Sequence, residues 1–493
     1  MENALIKESR TSEGLYCILF SLLIGIIFDR LFFDRAPGIS YFIFIALCIA
    51  FFMWSIRDRL KFHKSFGWFL LIPIALLSIS FAVHTNGVLS VLNILMVPLL
   101  MVVSSILIED PSLEWNKGSF IVEILRKGIG NVFNNLNKPF VIIAKSVKST
   151  MKIQIEESKK QILIGVLIAL PLLAVIIMLL SSADLVFGYY LSNITEIFKN
   201  IRLENFIPHV VIVAIITFYL FAYIWGFKSK EQGRRQAVEM PVVSWAPITV
   251  ITVLIALNIV YLMFTLIQFS YLYGGGNMTL PAQFTYAEYA RRGFFELAAV
   301  TFINFIIVLS CMKFMQKDNK GLLKASNILL TILIVFTLNM MYSANFKLTL
   351  YENSYGYTFL RVAVHLFILL LFILCMVVAA GIWNRKIPVI KAIIVITVAM
   401  YTIINYINID AFIARKNIER YNATGKIDVN YLVSLSYEAL PYTLELRNSE
   451  DSYVRKTIEQ VLKYKKQDLE AEKSWSEFNF SRSRARKLLS AEK

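Results

Sequence analysis

The chain has 493 residues, of which 57% are hydrophobic and only 17% charged. No soluble core can bury that much apolar surface, so the composition excludes an ordinary globular domain and predicts an all-α, polytopic transmembrane helical bundle in the lipid bilayer. The formal net charge of +16 comes from Lys and Arg clustered in loops between apolar runs, an excess that membrane topology explains without nucleic acid.

With roughly 20 apolar residues needed per bilayer crossing, about eleven spans are expected. They begin near Leu15, Tyr41, Phe66, Leu89, Ile162, Phe206, Ile248, Phe294, Leu322, Phe359 and Val389. The first run ends in Asp29, Arg30 and Asp34, Arg35, with no small-residue cleavage site, so it reads as a retained helix. Arg57, Arg59, Lys61 and Lys64 place the next loop, and with it the N-terminus, in the cytoplasm, whereas the turn at His84, Thr85, Asn86 and Gly87 carries no Lys or Arg. This divides the chain into a four-helix membrane region (1–108), a cytoplasmic linker (109–160), a seven-helix core (161–409) and a small helical extracytoplasmic tail (410–493). The four cysteines, Cys17, Cys48, Cys311 and Cys375, lie inside apolar runs without C-x-x-C or histidine spacing. They read as small buried hydrophobes and suggest no metal or cofactor.

In the linker, Ile121, Leu125, Ile129, Val132, Phe133 and Leu136 recur at helical spacing, and beyond Pro139 the residues Lys145, Lys148, Lys152 and Lys159 form a near-heptad stripe. Such a basic amphipathic helix suits anionic lipid headgroups. The same charge is also what the positive-inside rule requires of a plain linker. Past the fifth expected span, Asp184 follows Ser181 and Ser182 and is placed to cap a helix, with a catalytic or ion-binding carboxylate as the alternative.

The stretch from Phe284 to Leu297 leads charges directly into an apolar run. As a helix it sets Glu288, Arg292 and Glu296 at successive i,i+4 positions, with Tyr289 beside that face. Glu296 lies within the apolar run and needs Arg292, a polar helix or water to stay ionised, so the group reads either as a structural ion pair or as a transport or signalling site. Further on, Asn258, Asn304, Asn339, Asn405 and Asn408 read as hydrogen-bonding groups between packed helices. His365 follows Arg361 by one turn, and these two with Glu296 could meet in a polar centre. In the tail, Asp428 is placed to cap a helix, and Val454, Ile458, Val461, Leu462 and Leu469 share one face of the next. A closing block from Trp475 to Arg486 carries arginines for phosphate or anionic lipid, or simply a solvated basic helix.

Four runs carry a family likeness: Tyr286 to Glu296, Asn408 to Arg415, Gly425 to Leu432 and Trp475 to Arg486. Through them the chain from Ser181 onward resembles bacterial polytopic membrane proteins catalogued as domain of unknown function 4173. The resemblance implies a many-helix protein of the bacterial inner membrane with a helical outer tail, and brings no reaction, ligand or catalytic residue with it.

No G-x-S-x-G, H-E-x-x-H or Walker sequence is present, so nothing points to an enzyme. The leading expectation is a non-enzymatic envelope sensor or accessory protein, with an envelope partner at the tail. The alternative is a secondary transporter coupling protons to a solute through Glu296, Arg361 and His365. An envelope-lipid transferase would require Asp184 and His209 to converge.

Overall fold

The structure, a computed structural model, describes residues 2–60, 65–151, 203–228, 244–272, 293–316, 319–471 and 474–491, with scattered positions between 173 and 187. The chain packs as two compact units, one of Met1–Val83, Val88–Gln236 and Glu472–Phe480, the other of His84–Gly87, Ala237–Ala471 and Ser481–Lys493. Among the described residues, eight helices are long and apolar enough to cross a membrane, or nine if one bent pair counts as a span. The chain is therefore a multi-pass, all-α membrane protein.

The first unit holds helices α1 (Glu2–Phe32), α2 (Ile39–Ser55), α3 (Phe66–Val83), α4 (Gly87–Glu109), α5 (Lys138–Met151) and α6 (Leu203–Lys228). Helix α1 packs along α6, and α2 along α3. Gly25 makes the first contact close, because a Cβ there would meet Thr217 Oγ1 at 2.5 Å. The run at Tyr41 gives a helix of 17 residues, about 26 Å at 1.5 Å per residue, short of the roughly 30 Å hydrocarbon core. The span expected near Ile162 lies outside the described residues.

Between α4 and α5 the linker is helical, and Ile121, Leu125, Ile129 and Phe133 stand 62, 55, 54 and 71% exposed on one stripe. Phe120 and Val132 turn inward instead. An apolar stripe facing out from a membrane unit is the signature of a helix lying at the bilayer surface. Lys127 anchors it through Glu109. Of the expected lysine stripe, Lys145 is exposed, the side chain of Lys148 is not described, and Lys152 and Lys159 lie outside the described residues.

The second unit holds α7 (Pro247–Leu272), α8 (Phe294–Phe314), α9 (Lys320–Tyr355), α10 (Phe359–Trp383), α11 (Val389–Ile404), α12 (Ile409–Thr424), α13 (Ser452–Glu470) and α14 (Phe480–Ala491). Helix α9 is its axis, packing on α7, α8 and α10. It buries Leu330, Leu333, Thr337, Met340, Ala344 and Leu348 at spacings of three or four, which is what one helical face requires. Polar side chains join the helices inside this apolar setting: Asn258 donates to Leu329 O (3.1 Å), Tyr261 to Asn304 Oδ1 (2.7 Å), Asn304 to Thr337 Oγ1 (3.0 Å) and Gln268 to Ser343 Oγ (2.8 Å). The run at Val389 ends at Ile404 and turns by 61° into α12. Of the eleven expected runs, the described residues thus supply eight spans and the bent pair, with α2 as a shorter apolar helix.

Candidate functional site

Helix α9 is 36 residues long, about 54 Å, nearly twice the span of the hydrocarbon core. One end must project, and its last turns carry Asn345, Lys347, Tyr351 and Glu352. The chain then reverses at Gly356, whose φ of +84° only glycine adopts cheaply. Helix α10 begins three residues later and returns with Arg361 and His365.

The two ends meet in a polar cluster. His365 Nε2 lies 2.9 Å from Glu352 Oε2, and Nδ1 lies 2.7 Å from Asn345 Oδ1. Glu352 is only 1% exposed, and its Oε1 has no hydrogen-bond partner among the described residues. Arg361 donates to Gly356 O and stacks 4.2 Å over the Tyr351 ring. The partners of His365 are therefore Glu352 and Asn345, two residues not singled out in the sequence.

The remaining expected residues fall as follows. Glu296 sits exposed in the first turn of α8, and Lys347, buried, is the cation that its charge influences. Gly293, with φ +98°, opens that helix and has Lys347 Nζ 3.3 Å from where its Cβ would be. Glu288, Tyr289 and Arg292 lie outside the described residues. Asp184 is exposed, and its Oδ1 accepts from the backbone N–H of Val186 (2.8 Å) and Phe187 (2.9 Å), the geometry of a helix cap. His209 faces Asp29 at 2.7 Å and stacks on Phe33.

Over the cluster lies the tail. Asn417 of α12 exchanges hydrogen bonds with both backbone groups of Tyr357 (each 2.8 Å). Arg420 donates to Asn353 O (2.9 Å) and Ser354 O (2.6 Å), and Tyr431 accepts from Phe359 N–H (2.7 Å). A Cβ on Gly356 would come within 2.6 Å of Asn417 Oδ1. The turn that closes the cluster is thus held by the tail.

The tail also grips the turn at His84. Glu438, within the short 3-10 turn Tyr437–Ala439, accepts from Thr85 N–H (2.7 Å) and Thr85 Oγ1–H (2.6 Å), with His84 Nδ1 3.7 Å away. Burial opposes its ionisation, but the surrounding His84, Ser436, Thr85 and Ser481 side chains outweigh that and hold the carboxyl at about 2. Behind it, burial pushes the Lys465 amine down although Asp410 and Glu438 lie near, while its ammonium donates to Leu435 O (2.9 Å). All three described histidines therefore face a carboxylate: His84 Glu438, His209 Asp29 and His365 Glu352.

The chain matches the family described as Domain of unknown function (DUF4153) over residues 71–446. It belongs to that family. The resemblance to domain of unknown function 4173 is corrected by this match, which begins at Leu71 and takes in the linker that the resemblance left out. The runs that suggested the other family are rich in charged and aromatic residues beside apolar stretches, a composition that any polytopic protein needs at the membrane boundary. No curated protein and no solved structure matches the chain.

Proposed function

We propose that this member of the DUF4153 family is a non-enzymatic sensor or accessory protein of the bacterial cytoplasmic membrane, with its N-terminus inside and its helical tail outside. The observation that carries the reading is the tail's double attachment. It is bonded through Asn417, Arg420 and Tyr431 to the turn joining α9 and α10, and through Glu438 to the loop at Thr85. A force or partner acting on the tail is thereby delivered to the ends of membrane helices. The Lys- and Arg-rich loops after the second span and at Lys313 to Lys324 support the orientation. The outward apolar stripe of the linker supports a helix lying on the membrane surface.

Secondary transport is the second reading, favoured by one observation, the buried Glu352, whose Oε2 faces His365 while its Oε1 has no hydrogen-bond partner among the described residues. Depth argues against it. His365 is six residues into α10, about 9 Å, whereas a coupling site near the midplane would lie about 15 Å in. The deciding experiment is flux in proteoliposomes under an imposed proton gradient, with wild type and Glu352→Gln. Absence of flux across a broad solute panel is the expected result. Flux in wild type that the variant abolishes while still folding would replace the sensor reading with the transporter.

A further inference from the structure

The segment between α13 and α14 alternates in an unusual way. Ser476 and Asn479 are buried, while Trp475, Phe478 and Phe480 are 65, 44 and 60% exposed. Three large aromatic rings within six residues face outward from a piece of chain that is firmly seated. Its seat is the ends of membrane helices. Ile39 N–H, in the first turn of α2, donates to Phe478 O (3.1 Å), Ala36 N–H to Glu477 Oε1 (3.1 Å), and Asn479 Nδ2 to Phe81 O (2.9 Å) near the end of α3. A capping box between Ser474 and Glu477 fixes the short turn that begins at Trp475. Gly38 permits the approach, since a Cβ there would come within 2.6 Å of Glu477 C and 2.7 Å of Phe478 O.

These contacts fix the level of the rings. Phe81 lies two residues from the end of the membrane helix α3, so the segment lies at the plane where hydrocarbon gives way to headgroups. Flat aromatic side chains are enriched at that plane, where an apolar body and a polar edge are both satisfied. Exposed aromatics of this density on a water-facing surface would be an aggregation hazard. The outward surface of the neighbouring spans is apolar as well: Leu19, Leu23, Phe69 and Ile72 are 59, 55, 63 and 59% exposed.

We propose that Trp475, Phe478 and Phe480 form a membrane-interface anchor that inserts into the headgroup region of the bilayer and holds the end of the tail against it. The partner is the phospholipid surface itself. It is independent of whether the protein is a sensor or a transporter.

The test uses thiol-reactive, environment-sensitive fluorophores, because all four native cysteines are buried and the new thiol alone is accessible. The full chain carrying Trp475→Cys, and separately Phe480→Cys, is labelled in phosphatidylcholine nanodiscs, with Tyr464→Cys on the 71% exposed face of α13 as the aqueous reference. The expected result at positions 475 and 480 is a blue-shifted emission, quenched several-fold more by nitroxide near the headgroup than by nitroxide at the acyl end or by aqueous iodide. Position 464 is expected to read as water. Adding Gly38→Ala, which unseats the backbone, should return the label at 475 to the aqueous signal. Aqueous emission at both 475 and 480 in the parent background, or quenching there by iodide equal to that at 464, would overturn the anchor.

Discussion

Replacing Glu438 with Gln should loosen the tail from the Thr85 turn by a calculable amount. The carboxyl is held at about 2 against an ordinary 4.5, a difference worth about 3 kcal/mol in favour of the ionised, folded form. Gln keeps the shape and one acceptor for Thr85 N–H but loses the charge, so about 2 kcal/mol of that should disappear. At 1.4 kcal/mol per tenfold, local opening becomes about 30-fold more frequent. The assay is amide hydrogen exchange at residues 84–86 and 436–438, corrected for intrinsic rates, with the membrane helices as internal reference. The pH dependence follows from the sign of the shift. Because the folded value is depressed, the stabilisation is complete above about 4.5 and is lost as pH falls from there toward about 2. Wild type should therefore lose protection at these sites on acidification through that window, and Glu438→Gln should not. Exchange in the variant within twofold of wild type, or a wild-type profile flat with pH, would refute the reasoning.

Other perturbations reach different parts of the structure. Gly356→Ala forces a side chain into φ +84° and against Asn417 Oδ1; a loss of about 2 kcal/mol should appear as a lowered thermal midpoint in nanodiscs, and an unchanged midpoint would contradict the packed turn. Asn304→Ala removes the acceptor of the Tyr261 hydroxyl and the amide that donates to Thr337, bonds that join α7, α8 and α9, and should cost about 1 kcal/mol in SDS-induced unfolding. Phe133→Asp places a charge on the outward stripe of the linker helix, so a nitroxide at Leu125 should change from lipid-accessible to water-accessible by collision with oxygen and nickel chelate.

The coarse architecture was legible from hydropathy, because a membrane leaves helices as the economical way to satisfy backbone groups in apolar runs. Helix lengths were not: α2 and α11 stop short, at Ser55 and Ile404, and a window average does not contain where a helix ends. The apolar face of α13 was readable from Val454, Ile458 and Leu462, since its period reports burial directly. The polar cluster was only half readable. His365 and Arg361 stood out as charges in a span, but their partners sit on the projecting end of α9, where polar residues draw no notice. Asn345 and Glu352 are seven residues apart, two helical turns, and that spacing was the available signal. The pairings of His84 with Glu438 and of His209 with Asp29 join positions far apart in sequence, and no local pattern announces them.

The measurement closest to the central claim is site-specific photocrosslinking from the outward face of the tail. A photoreactive residue replaces Tyr464 or Tyr453, which are 71 and 59% exposed, and intact bacterial cells are irradiated. The expected result is a discrete adduct of one mass from both positions, formed also with a crosslinker confined to the outside of the cell. No adduct from either position, or labelling of these positions only after the membrane is permeabilised, would contradict a tail that receives its partner outside.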